Sequence, residues 1–169
     1  MKFRDISQLT SDGNYQVNMS LEYITGWINE NVQDLGLQLN PDFQRGHVWT
    51  EEQQIKYMEY LLKGGKSARV IYFNHPNWMM SWKGEFVCVD GLQRLTTCMK
   101  FMNDELKVFG YYYSDFEDKL RHIDLLINVN NLKTRKEVLQ WYIEFNTGGT
   151  VHTDEEINKV KRLLDEEKE

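Results

Sequence analysis

The sequence predicts a single α/β-type domain, 1–169, in which helices pack against a small sheet. Three stretches rich in β-branched and aromatic residues predict strands, at 69–74, 85–89 and 123–129. Capping boxes of the Ser/Thr-x-x-Glu/Gln type open helical patterns at Thr50, Thr134 and Thr153. A chain of 169 residues suits one domain and leaves little room for two.

In the first half of the chain, the residue pattern predicts one strand and two helices before the strand at 69–74. Tyr15 to Asn18 is expected to be a short strand, and Ser20 to cap a helix that Gly36 ends. The buried stripe of this helix is expected to be Leu21, Ile24, Ile28 and Val32. After a loop at 40–48, the helix capped at Thr50 is expected to bury Ile55, Met58, Leu61 and Leu62.

The second half predicts a strand, a sharp turn at Asp90-Gly91 and a helix over 93–102. Leu106 to Phe109 is expected to be a further strand. The stretch 123–129 is apolar along its length, which is typical of a central strand. The last helix runs into a charged tail.

Composition excludes several classes of function. The net charge is −6, and an acidic chain is a poor non-specific binder of nucleic acid because phosphate neutralisation needs an excess of Lys and Arg. No apolar run reaches the roughly 20 residues of a membrane span, and no secretory signal is visible. Cys88 and Cys98 are expected to be buried, reduced thiols, so the expected location is cytoplasmic. No zinc, haem or flavin is expected.

The most informative segment reads as strand, tight turn and helix around Asp90, Gly91, Gln93 and Arg94. Gly91 permits close approach of a ligand, and the free N–H groups at the helix start favour an anion. Arg94 adds a planar fork of donors suited to phosphate. The alternative, of about equal weight, is a structural turn in which Arg94 pairs with Asp90.

Two other segments carry candidate residues. Gln44-Arg45 lies in a loop before the helix capped at Thr50, and this loop is more simply pinned by packing of Phe43 and Trp49. Asn146 to Gly149 joins two helices through adjacent glycines, which suit either an anion-binding nest or, more commonly, a plain helix connection. The apolar cluster Trp78, Met79, Met80 and Trp82 suits a partner-binding patch, core packing or a flap over the site.

Three ordered motifs, PDFQRGHVW, VDGLQRLTT and FNTGGTVHTDEEI, resemble the N-terminal domain of the GmrSD-type restriction endonucleases. The resemblance spans about 37–157. It implies a compact α+β domain of the ParB/sulfiredoxin-like fold, with a small mixed sheet flanked by helices. In that family a DGQQR motif is linked to the binding and hydrolysis of nucleotides in defence against phage. Short stand-alone versions resemble phage proteins, which would place this one in the host cytoplasm.

The resemblance also implies roles for individual residues. Those expected in catalysis are Asp90, Gln93 and Arg94, with Asp90 as a possible ligand of Mg²⁺. Those expected to bind nucleotide or phosphate are Gln44, Arg45, Gly91, Arg94, Thr96, Asn146, Gly148 and Gly149. Leu92 replaces the first Gln of DGQQR, which removes one polar contact. No self-contained nuclease of the larger HNH-bearing kind is expected.

Three functions follow as hypotheses. The first is a nucleotide-binding domain that takes a nucleoside triphosphate or another phosphate ligand, with slow NTPase activity as an extension of the same hypothesis. The second is a phosphodiesterase that nicks DNA or RNA at the same site, although the net charge disfavours a nucleic-acid partner. The third is a non-catalytic, phage-encoded protein that binds a host protein.

Overall fold

A mixed β-sheet lies at the centre of the computed structural model, which describes residues 1–10, 14–44, 46, 48–147 and 154–167. Its four strands among these residues are β1 (Tyr15–Ser20), β2 (Val70–Asn74), β3 (Val87–Asp90) and β4 (Asp124–Asn130). Their order is β1-β4-β2-β3. β4 runs antiparallel to β1 and parallel to β2, whereas β2 and β3 are antiparallel.

Five α-helices accompany the sheet in the described part of the chain: α1 (Leu21–Leu35), α2 (Glu51–Leu62), α3 (Leu92–Met102), α4 (Arg135–Thr147) and α5 (Asp154–Glu166). Short 3₁₀ turns lie at Phe3–Asp5 and Tyr113–Asp115. The α+β class, with a small mixed sheet flanked by helices, is therefore confirmed.

The strands carry apolar residues on both faces, because helices cover the sheet from two sides. In β3, Cys88 belongs to a core cluster built with α1, α2 and α3, whereas Val87 and Val89 belong to a second cluster built with α4 and α5. β2 alternates in the same way, with Ile71 in the first cluster and Tyr72 packed against the second. The period of two along each strand therefore separates the two cores.

Local signals placed several helix ends correctly, while the cap predicted at Thr153 lies outside the described residues. Gly36 ends α1 in the left-handed conformation with φ 65°, as expected of a C-terminal glycine. Thr50 accepts a hydrogen bond from the backbone N–H of Gln53, and this capping box opens α2. The stretch predicted to be central, β4, pairs with strands on both of its edges. Cys88 and Cys98 are buried and free.

Two local predictions were wrong. Leu106 to Phe109 is not a strand: Val108 and Tyr111 form a single antiparallel bridge, and Phe109, with a φ of 55°, lies in the two-residue turn between them. Val32 is not buried but 42% exposed, because the apolar stripe of α1 continues from Ile28 to Leu35. A spacing of seven residues keeps that stripe on one face of the helix. None of the helices in the described ranges has the length and apolar character needed to cross a membrane.

Candidate functional site

The corner between β3 and α3 depends on a glycine. Gly91 separates Asp90, the last residue of β3, from Leu92, the first of α3, and its φ of 103° is one that L side chains rarely adopt. A Cβ at this position would lie 2.7 Å from Cδ1 of Ile71 and 3.2 Å from its Cα. The absence of a side chain therefore allows the start of α3 to approach the backbone of β2.

Arg94 is held against this corner by two acceptors. Its Nη2 donates to Oδ2 of Asp90 at 2.5 Å and to the carbonyl oxygen of Val70 at 3.0 Å. Its Nε is buried and has no hydrogen-bond partner among the described residues. The Arg94 side chain is 22% exposed. The ion pair expected of a structural turn is thus present, and the Arg94 side chain remains partly open to solvent.

Gln93 connects α3 to the loop that precedes α2. Its Oε1 accepts from the backbone N–H groups of Val48 at 2.9 Å and Trp49 at 3.0 Å, and its Nε2 donates to the carbonyl of Gly46 at 2.6 Å. Both ends of the amide are therefore bonded to backbone. In this arrangement Gln93 positions the loop rather than projecting a free polar group.

Gln44 anchors the same loop to the sheet. Its Nε2 donates to the carbonyl oxygens of Cys88 at 3.0 Å and Val89 at 2.8 Å. Together, Gln44 and Gln93 bring the described part of the first motif, PDFQRGHVW, against the strand that ends at Asp90. Arg45, the other half of the predicted pair, and His47 lie outside the described residues.

The third motif reaches the same region through aromatic packing. Tyr72 pairs with Asp90 in the register of β2 and β3, and its ring lies 4.9 Å from that of Phe145 near the end of α4. The next residue, Asn146, is half-buried and donates from Nδ2 to the carbonyl of Tyr142 at 2.8 Å. Gly148 and Gly149 lie outside the described residues. The described parts of all three motifs therefore converge near the end of β3.

A second guanidinium acts on the same region, and the motif analysis missed it. Burial raises the pKa of the Cys98 thiol to about 12, and Arg94 and Arg69 both oppose this rise. Burial likewise raises the pKa of Tyr57, with the same two arginines opposing it. Nε of Arg69 is buried without a hydrogen-bond partner in the described ranges. The only sequence signal for Arg69 is its place as a basic residue at the head of a β-rich stretch.

The remaining residues of the predicted site differ in burial and in position. Thr96 is half-buried on α3, one turn beyond Leu92. No group of three His, Cys, Asp or Glu side chains suited to a metal ion is found in the described part of the chain. Leu92 is 6% exposed and belongs to the core cluster under α3.

Comparison with known proteins adds one match. The family model of the GmrSD restriction endonuclease, N-terminal domain, matches residues 24–146, which is more than half of the chain. The matched span contains Gln44, Asp90, Arg94 and Asn146. No curated protein and no solved structure matches the chain.

Proposed function

Because the chain belongs to the family of GmrSD restriction endonuclease N-terminal domains, we propose that the corner between β3 and α3 binds the phosphate groups of a nucleotide. The family ties the chain to restriction systems. The bound ligand and the reaction are our inference from the chemistry of the corner.

The observation that supports phosphate binding best is the fixed orientation of the Arg94 guanidinium. Its guanidinium is already oriented by Asp90 and by the Val70 carbonyl, and its side chain remains 22% exposed. A planar guanidinium that is fixed in advance loses little side-chain entropy when it binds a phosphate. It stands in the first turn of α3, whose N-cap residue Gly91 provides no side-chain cap. The uncapped N–H groups of such a turn attract anions.

The other motif residues complete this proposal. Gln44 and Gln93 would position the loop that carries Arg45, so that a second guanidinium faces the same phosphates. Thr96, Asn146, Gly148 and Gly149 would supply further donors. Mg²⁺ commonly binds through one or two carboxylates together with substrate phosphates. Asp90, with one carboxylate at the corner, fits a Mg²⁺ ion that neutralises the phosphate charge.

We also propose that any hydrolysis by this site is slow. Arg94 would stabilise the charge that develops on the transferred phosphoryl group, and Asp90 would orient water or Mg²⁺. Gln93 would act by positioning. Leu92 packs in the core rather than offering an amide to the ligand. The site would therefore bind nucleotides with one polar group fewer than the family motif has.

Thermal denaturation with a panel of nucleoside triphosphates, each with and without Mg²⁺, tests the proposal. A ligand at ~100 times its Kd should stabilise the fold by about 2.7 kcal/mol. Arg94→Lys keeps the positive charge but removes the fork, so we expect it to abolish the stabilisation. Arg162→Lys, an exposed arginine of α5, is the matched control and should retain it. Failure of every triphosphate to raise the melting temperature would refute the proposal.

One alternative has a specific observation in its favour. Met80 is 85% exposed and Met79 62% exposed, in the segment between β2 and β3. Exposed Met and Trp side chains are enriched at protein interfaces, which suits a non-catalytic protein that binds a host protein. Association with a host protein that survives Arg94→Lys but is lost in Met79→Ser/Met80→Ser would favour this function over nucleotide binding.

The phosphodiesterase alternative places the reaction on DNA or RNA at the same corner. The net charge of −6 opposes it, because a nucleic-acid path needs an excess of Lys and Arg. Metal-dependent nicking of plasmid DNA that disappears in Arg94→Lys would support it. Nicking that persists unchanged in that variant would point to a contaminating nuclease.

A further inference from the structure

A strained aromatic residue stands at the tip of a tight hairpin. Val108 and Tyr111 exchange both backbone hydrogen bonds, at 2.8 and 3.1 Å, around the two central residues Phe109 and Gly110. Their φ angles are 55° and 85°. Positive φ at both central residues is the requirement of a type I′ turn, which favours Asn-Gly. Phe at the first of these positions is a steric outlier, and such outliers are concentrated at ligand sites.

The strained ring lines a cavity of about 220 Å³ beneath the segment that follows α3. Its apolar lining is formed by Leu62, Phe101, Phe109, Tyr113, Phe116 and Leu120. Phe101 is buried and lies 5.7 Å from Tyr113 and 6.3 Å from Phe116 between ring centroids. Phe109, by contrast, is 44% exposed. The cavity therefore has a buried aromatic floor and an aromatic side wall that is open to solvent.

The rim of this cavity carries a local excess of positive charge. Lys119, Arg121 and Asp118 also line it. Nζ of Lys63, at the C-terminal end of α2, lies 5.1 Å from the centroid of the Phe109 ring and 3.4 Å from Oε2 of Glu59. In a chain with a net charge of −6, such a basic rim attracts anions locally.

We propose that this cavity binds a small planar aromatic anion. The ring would lie among Phe101, Phe109 and Phe116, and its carboxylate or phosphate group would meet Lys119 and Arg121. A dry apolar cavity on the order of 150 Å³ holds benzene. The cavity here, at about 220 Å³, suits a substituted single ring or a fused double ring.

The proposed site is independent of the nucleotide corner. Phe101 lies near the end of α3, whereas Gly91 and Arg94 lie at its start. A helix of this length separates its ends by roughly 15 Å. Binding at one site can therefore be tested whether or not the other site is functional.

Titration followed by ¹H–¹⁵N NMR on the whole chain tests the site directly. The probes are indole-3-acetate and phenyl phosphate, which compare carboxylate with phosphate. Indole and cyclohexanecarboxylate are the matched probes that lack the charge or the aromatic ring. We expect saturable shifts in residues 101–121 with at least one aromatic anion, and weaker binding of both matched probes. The absence of saturable shifts with both aromatic anions would overturn the proposal.

Substitution of Phe109 separates binding from folding. Phe109→Asn places a favoured residue in the turn, so the melting temperature should hold or rise while affinity for the anion falls about tenfold or more. Asp104→Asn is the control, because Asp104 also has a positive φ of 58° and bonds to Ser114 but does not line the cavity. It should leave the affinity unchanged.

The melting temperature and the affinity for the anion together decide the role of the Phe109 ring. A lower melting temperature with unchanged affinity in Phe109→Asn would show that Phe109 only packs the fold, and would overturn the proposal. Stabilisation by a nucleoside triphosphate should be unaffected by Phe109→Asn, so a failure here is distinguishable from a failure of the proposed nucleotide site.

Discussion

Arg135 and Asp42, 93 positions apart, form an ion pair in which Nη2 of the arginine contacts both carboxylate oxygens, at 2.6 and 2.8 Å. The same guanidinium lies over the ring of Phe43 and contacts Glu167 through Nε at 3.0 Å. The hydrogen bonds that Arg135 donates to the Asp42 carboxylate raise the pKa of Arg135. This cluster ties the start of α4 to the loop that contains Gln44, and so adds a second anchor to the first motif, PDFQRGHVW, besides Gln93.

Loss of that pair should loosen the loop more than it destabilises the fold. Asp42→Asn removes the charge, and because Asp42 is largely exposed we expect a cost of about 0.5–1 kcal/mol in urea denaturation. Backbone amides of 42–44 should exchange faster with solvent. The control is Lys56→Gln, which breaks the fully solvated pair of Lys56 with Glu52 and should change neither quantity measurably.

Gly91→Ala should destabilise the fold more than Gly36→Ala, the same change at the C-cap of α1. Gly36→Ala forces alanine into the left-handed region, with nothing within 4 Å of the added Cβ, and should cost about 1–2 kcal/mol. Gly91→Ala has a comparable backbone penalty and also places Cβ against Ile71. Urea denaturation of both variants compares the costs. An equal loss of stability would show that the close approach to Ile71 is relieved without penalty.

Gln93→Ala should release the loop that Gln93 holds. The change leaves three backbone groups, at Gly46, Val48 and Trp49, without their partner, and we expect a loss of about 1–3 kcal/mol. Hydrogen exchange should show the amides of Val48 and Trp49 losing protection. Gln140→Ala is the control, since Gln140 is exposed and bonds to the side chain of Glu144. Protection at Val48 that survives Gln93→Ala would contradict this role.

The buried thiols should make the fold sensitive to alkali. Burial raises the pKa of Cys98 from 9.0 to about 12, so the unfolded chain loses this proton before the folded chain does. The resulting stabilisation is complete below about pH 9 and is lost as pH rises towards 12. The wild type should therefore lose stability relative to Cys98→Ala as the pH rises from 7 to 10, measured by urea denaturation. A pH-independent difference would contradict the burial argument.

Prediction from sequence succeeded where neighbouring residues decide the outcome. The Thr50 cap and the Gly36 stop involve partners within a few positions, and both are present. It failed at Leu106 to Phe109, because β-forming side chains there enter a two-residue turn instead of a ladder. Arg69 was overlooked because its neighbours in sequence do not reveal that it acts on the same buried groups as Arg94.

The sequence by itself determined the helices, the strands, their apolar faces and the family, because these depend on periodicity and on short motifs. Only the tertiary structure decided how the motif side chains are used. Gln44 reaches carbonyl groups 44 and 45 positions away, and Gln93 reaches backbone groups 44 to 47 positions away. Hydrogen bonds of that range exist only after the sheet has paired and both cores have packed. No local pattern could therefore distinguish a glutamine that holds a loop from one that faces a ligand.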